Sequence, residues 1–262
     1  VNGEDLNSDP MQRGSRWVIN FWDWPEERAA SYTEPYAWLR QHVYPERLEK
    51  STEKSYRNIM SMWWLHWNAR SNLYHALGRV RDFERHPSGW EPGIPPPERA
   101  LVVARVSMSL AFELVDPDSV FSEQVVVFAR GTCAHLALLQ STLHAAFAWQ
   151  HSSTLGAALR YSPTDAFEPF PLPLIDILRE GSPLSSLGKA YHELRAGIMR
   201  GERVGLTKCY RRFHNPSEVD DRILDLRNLH RQIDEEVIAA YGWGDLALEH
   251  GFHKVAYLPG TD

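Results

Sequence analysis

Apolar residues recur along this chain with two different periods, and the places where the period changes predict its elements. Trp17-Val18-Ile19-Asn20-Phe21-Trp22 alternates β-branched and aromatic positions and predicts a strand. Pro25-Glu26-Glu27 then places proline and acids where a helix begins. Trp38, Leu39, Val43 and Leu48 form an imperfect helical stripe between Tyr36 and Lys54, broken at Pro45. Leu73, Ala76, Leu77 and Val80 are spaced for a short helix, and Pro87-Ser88-Gly89 and the run from Pro92 to Pro97 mark a loop.

The clearest β pattern follows in Leu101–Val106, Leu110–Val115 and Gln124–Ala129. The connections Ser107-Met108-Ser109 and Asp116–Ser119 are short enough to favour antiparallel neighbours. Cys133 to Gln150 puts Leu136, Leu139, Leu143, Ala146 and Phe147 on one face and predicts a single buried helix against that sheet. Phe167 to Pro173 is held extended by its prolines and reads as a domain border. Pro183–Glu202 and Asp220–Tyr241 each carry a helical stripe, the second through Ile223, Leu226, Leu229, Ile233 and Val237 with Gly242 past its end. The predicted class is α+β: a mostly antiparallel or mixed sheet with packed helices over residues 1–173, then a helical segment over 174–262.

Composition narrows the function. At 262 residues, 43% hydrophobic and 24% charged, the chain is long and apolar enough to bury a core. No apolar run approaches the ~20 residues of a membrane helix, and no signal layout opens the chain. Cys133 and Cys209 lack any Cys-x-x-Cys context and read as free thiols of a cytoplasmic protein. The net charge of −6 argues against indiscriminate coating of nucleic acid and leaves room for a local basic face. Only 5 of the 28 cations are lysine; arginine is the better fork for phosphate and guanine, though GC-rich codon usage produces the same bias. The opening at Val1, without methionine, is expected to be the interior of a longer protein.

No catalytic set emerges. Gly242-Trp243-Gly244 follows a helix and not a strand, so it is a helix stop and not a nucleotide loop. His250 and His253 beside Glu249 lack further ligands nearby. Cys209 and His214 lack the surroundings of a nucleophile and its base. Asp118 and Glu123 lack the lysine of a Mg-dependent nuclease, and neither Ile94–Glu98 nor Asn215-Pro216-Ser217 supplies the turn that holds a flipped adenine.

Several stretches nevertheless resemble one family. They are Asn2–Asn7, Arg16–Phe21, Val43–Arg47, Trp63-Trp64, Ala104–Ser107, Val120–Ser122, Leu139–Ser141, Leu159–Glu168, Phe170-Pro171, Gly205–Pro216 and Ala240–Trp243. In order and spacing the chain is similar to the C-terminal half of large N6-adenine DNA methyltransferases of the fused restriction-modification and phage-defence type (types IIG and IIL). The resemblance implies a DNA target-recognition region without catalysis of its own. It also implies double-stranded DNA and the upstream methyltransferase domain as partners, and S-adenosylmethionine bound by that domain and not here. At Met108 the family often carries a lysine or another polar residue.

Two groups of residues are the expected DNA contacts. Arg105, Ser107, Met108 and Ser109, at a junction between predicted strands, are expected to read bases, with Arg160 joining them through the resemblance. Arg200, Arg203, Lys208, Arg211 and Arg212 face a single acid, Glu202, with Tyr210 and Phe213 interleaved, and are expected on phosphates; the plainer reading is a solvated helix end. The competing class is a protein-interaction module built on the ten tryptophans, several of them in Trp22-Asp23-Trp24 and Trp63–Trp67; their plainer role is core packing.

Overall fold

The computed structural model describes residues 1–91, 95–129, 131–173 and 175–253. Two compact units make it up: Trp17–Pro97, and Val1–Arg16 together with Glu98 onward. In chain order the elements are α1 (Gly3–Ser8), α2 (Glu26–Ala30), α3 (Thr33–His42), α4 (Tyr44–Lys50), α5 (Ser71–Ala76), β1 (Ala100–Ala104), β2 (Val106–Ser107), β3 (Phe112–Val115), β4 (Val125–Phe128), α6 (Cys133–Gln140), α7 (Thr142–His151), β5 (Ser153–Leu155), β6 (Ala158–Arg160), α8 (Pro183–Glu202), α9 (Leu206–Phe213) and α10 (Asp221–Ala240).

The unit Trp17–Pro97 is held by aromatic packing. Phe21, Ala29, Leu39 and Trp63 are buried together, with Trp24, Tyr36, Tyr44 and Trp64 against them. Its opening is not the predicted strand. Asn20 Oδ1 accepts the Trp22 N–H at 3.0 Å, and Trp22 takes a left-handed φ of 51°. Phe21 and Trp22 are both buried, and the left-handed residue at Trp22 ends any extended run there. Pro45 falls within the first turn of α4, where its missing N–H costs nothing, so the stripe across Tyr36–Lys54 splits into α3 and α4. Of the proline-rich loop, residues 92–94 lie outside the described residues.

In the larger unit β1 lies between β3 and β4, antiparallel to both, with Val102 opposite Glu113 on one side and Val127 on the other. Every residue of β1 and β3 is buried. Each fully buried Val or Leu there stabilises by about 1.5–3 kcal/mol. The predicted first strand, Leu101–Val106, is divided. At Arg105 the chain steps into a second small sheet, ordered β2-β6-β5.

The predicted Cys133–Gln150 helix is two helices. Ser141 turns to an extended ψ of 155° and caps the start of α7 through the His144 N–H. The apolar stripe runs on either side of Ser141, so periodicity alone does not record the break. Helix α8 packs on α6 by way of Gly188, where a Cβ would come within 1.9 Å of the Cys133 carbonyl oxygen. The border expected at residue 173 thus lies inside this unit. The long helices match the predicted spans: α8 opens on Ser182 and Pro183, and α10 opens on an Asp220 cap and stops before Gly242, whose φ is 75°. Arg227 of α10 caps α9, its Nε donating to the Phe213 carbonyl at 2.9 Å and its Nη2 to the Asn215 carbonyl at 2.6 Å.

Candidate nucleic-acid interface

Arg105 sits at the step between the two sheets, and its backbone joins them. Its N–H donates to the Gln124 carbonyl at 2.8 Å, and its carbonyl accepts the Tyr161 N–H at 2.8 Å. Strand β2 pairs antiparallel with β6, setting Val106 opposite Arg160. Alternation along β6 then sends Arg160 outward and Tyr161 inward, where its hydroxyl meets His144 Nε2 at 3.0 Å. Burial holds the His144 imidazole down to about 3 and pushes the Tyr161 hydroxyl upward, so this buttress is neutral.

Arg105 and Arg160, 55 positions apart, line one open cleft of about 750 Å³. Gly3, Glu4 and Asn7 of α1 form another wall, with Glu123 and Gln124 beside them. Helix α1 forms because Asn2 and Asp5 close a reciprocal capping box, each side chain accepting the other's N–H at 2.8–2.9 Å. The Gly3 N–H donates to Gln124 Oε1 at 3.2 Å, and Arg105 Nε donates to the Glu123 carbonyl at 2.8 Å. These bonds fix Gln124 and Arg105 in the wall of the cleft, where Glu4 and Glu123 stand among the lining residues with the two arginines.

The other junction residues are placed differently. Ser107 is half-buried and its Oγ accepts the Ser109 N–H at 3.3 Å, closing a local turn. Met108 projects from that turn, 63% exposed. The connection is therefore a short strand and a turn that joins β1 to its antiparallel neighbour β3, as its length predicts, whereas β3 and β4 are not neighbours because β1 lies between them.

The cationic segment divides as well. Helix α9 buries Leu206, Cys209 and Tyr210 and leaves Lys208 and Arg211 exposed, with no ion pair to either among the described residues. Arg200 is exposed and donates to the Ala196 carbonyl at 3.2 Å; Arg203, also exposed, ends α8 in a left-handed conformation at φ 55°. Arg212 is occupied within the fold. It is bound to Glu218 and Glu202 at 2.6 Å and to Asp220 at 2.9 Å. Those bonds raise the guanidinium pKa and draw the Glu218 carboxyl down to about 2.

The weaker candidates resolve into structure. Burial raises the Cys209 thiol, the reverse of an activated nucleophile. His250 reaches Asp234 at 3.1 Å, and His253 meets the Glu249 carbonyl at 2.9 Å. Among the described residues no group of three or more His, Cys, Asp or Glu is arranged to hold a metal, and no helix is long and apolar enough to cross a membrane. Of the tryptophans, Trp22 and Trp63 are buried, while Trp24 and Trp64 are half-buried and donate their ring N–H to backbone carbonyls.

Sequence reasoning missed Gln124 and the cleft role of Asn7. That α1 meets Gln124 is recorded by no local pattern, since 121 residues separate Gly3 from Gln124.

No family model matches this sequence, and no curated protein matches it. The fold is similar to part of a solved structure, that of a type IIL restriction-modification enzyme in complex with DNA. That enzyme is MmeI; the two superpose with a TM-score of 0.57 at 18% identity, over 93% of this chain and 28% of MmeI. The chain thus spans under a third of that protein's length, and the likeness is one of fold.

Proposed function

We propose that this chain is the DNA target-recognition region of an adenine-specific DNA methyltransferase of the restriction-modification, phage-defence type, non-catalytic by itself and acting in the cytoplasm. The observation that carries the reading is the cleft in which Arg105 and Arg160 converge with Asn7 and Gln124. Sequence readers need a rigid frame presenting a few forked donors and amides to base edges, with other cations on phosphates. The two-sheet junction supplies the frame, the arginines supply the fork for guanine O6 and N7, and Met108 supplies an apolar contact for a thymine methyl. Arg200, Arg203, Lys208 and Arg211 supply phosphate contacts. Methyl transfer and S-adenosylmethionine belong to an upstream domain of the same protein, which also contributes the phosphate contacts that a net charge of −6 leaves scarce.

Arg105→Ala, Arg160→Ala and Met108→Lys in the full-length parent test this reading by methylation-site sequencing. The expected result is altered base acceptance at a single position, with about 1–3 kcal/mol of discrimination lost for a bidentate contact. Reduced activity at an unaltered motif overturns the readout role.

A further inference from the structure

The unit Trp17–Pro97 contains ten cations and ten acids, yet they are segregated. From Lys54 to Arg81 there are 28 residues and no Asp or Glu, with Lys54, Arg57, Arg70, Arg79 and Arg81 among them. Glu53 and Asp82 bracket the stretch, and Asp82 is held by Arg79 at 2.5 Å. Burial anchors its middle: Ile59 and Trp63 enter the core, and the Trp63 and Trp64 ring N–H groups are fixed on Glu26 Oε1 and the Trp24 carbonyl. Two aromatic residues are left outside this anchor. Tyr56 and Trp67 meet edge to face at 5.6 Å, with Trp67 51% exposed, and Lys54 and Arg57 flank Tyr56 in the same turn. Both cations are exposed and make no ion pair among the described residues.

An exposed aromatic pair beside unneutralised cations, in a stretch free of acids, is complementary to a polyanion with apolar faces, which is what a sugar–phosphate backbone presents. An acidic partner protein also offers negative charge; two exposed cations beside two exposed rings match the repeating phosphate and sugar of the backbone. We infer that Lys54, Arg57, Tyr56 and Trp67 form a second duplex-DNA contact surface, which grips the backbone without regard to sequence and is independent of the Arg105–Arg160 cleft. The inference rests on the target-recognition reading for its choice of duplex DNA.

The test is fluorescence anisotropy of a labelled duplex with the full chain, titrated from about 50 to 200 mM salt. Lys54→Gln/Arg57→Gln should weaken binding to every duplex alike and lower the salt slope by about two, at about 0.9 per lost phosphate contact. Trp67→Ala should weaken binding several-fold with an unchanged salt slope, and Trp67→Phe should restore most of it. Circular dichroism and thermal melting identify any variant that fails to fold, for which Trp67→Phe and Arg57→Gln alone are the substitutes. Wild-type affinity and salt slope in the folded Lys54/Arg57 variant overturn this surface while leaving the cleft reading intact. A loss there, with Arg105→Ala and Arg160→Ala discriminating bases as wild type does, upholds the surface and overturns the cleft. Tighter binding to single strands that vanishes in Trp67→Ala overturns the duplex assignment, and no duplex binding by wild type overturns both.

Discussion

Arg195 of α8 donates to Glu113 of β3 at 3.0 Å in a site where neither residue is more than 1% exposed. The guanidinium also donates to the Tyr210 hydroxyl at 2.7 Å and the Phe112 carbonyl at 2.5 Å, and His192 lies 2.8 Å from the other Glu113 oxygen. Burial works to raise the Glu113 carboxyl, but Arg195 and His192 beside it outweigh that and leave it below its ordinary value. The pair joins β3, α8 and α9 at one point. Removing one member leaves a buried charge without compensation, so Arg195→Met should destabilise by about 3–5 kcal/mol in urea unfolding. The double variant Arg195→Met/Glu113→Leu should recover part of that loss.

The close approach of α6 and α8 depends on a single hydrogen atom. Gly188→Ala places a Cβ against the Cys133 carbonyl backbone and should cost about 1–3 kcal/mol or more, as overpacking does. Gly197, in the same helix, has nothing within 4 Å of an added Cβ. Gly197→Ala should therefore stabilise by about 0.5–1 kcal/mol through helix propensity. Paired thermal melts decide it; equal shifts of the same sign contradict this packing.

Ser141 ends one helix and caps the next. Its Oγ donates to the Leu138 carbonyl at 2.7 Å and accepts the His144 N–H at 3.3 Å. Ser141→Ala should cost about 0.5–2 kcal/mol in urea unfolding. Ser141→Asn, able to cap, should cost less than alanine.

His144 makes stability depend on pH. Its folded value of about 3 lies below the ordinary 6.5, so the unfolded chain binds a proton that the native state refuses. The contribution is complete above pH 6.5 and is lost as pH falls from there toward 3, at a slope of up to about 1.4 kcal/mol per pH unit. His144→Gln, which keeps an amide for the Tyr161 hydroxyl, should flatten the stability profile in urea between pH 6.5 and 4.5. Parallel profiles for variant and wild type contradict this assignment.

The cations of α9 should separate into two behaviours. Lys208→Ala/Arg211→Ala removes exposed charges and should lower the salt slope of DNA binding with an unchanged melting temperature. Arg212→Ala leaves Glu218 without its cation and Glu202 and Asp220 to Arg222 alone, and should lower the melting temperature. Identical responses contradict the division.

Local chemistry by itself determined the long elements. Pro183 with the following stripe, and Asp220 with Gly242, mark α8 and α10, because caps and stops act on neighbouring residues in sequence. The β-branched runs around Val102, Leu114 and Val126 likewise mark the three-stranded sheet, since a fully buried strand must be apolar on both faces. Tertiary structure decided the rest, wherever an outcome depends on a distant partner. Arg105 leaves one sheet for another because its amide and carbonyl find Gln124 and Tyr161. Phe21 and Trp22 leave the extended run for a turn that sends Phe21 to the cluster around Trp63 and Trp22 to Tyr74 and Phe83. Arg160 was legible as a DNA candidate and Asn7 was not, yet both face one cleft, as no local period records which segments meet. Arg212 and Arg211 are adjacent cations of one type in the sequence; only the return of residues 218–220 to the helix end occupies one and leaves the other in solvent.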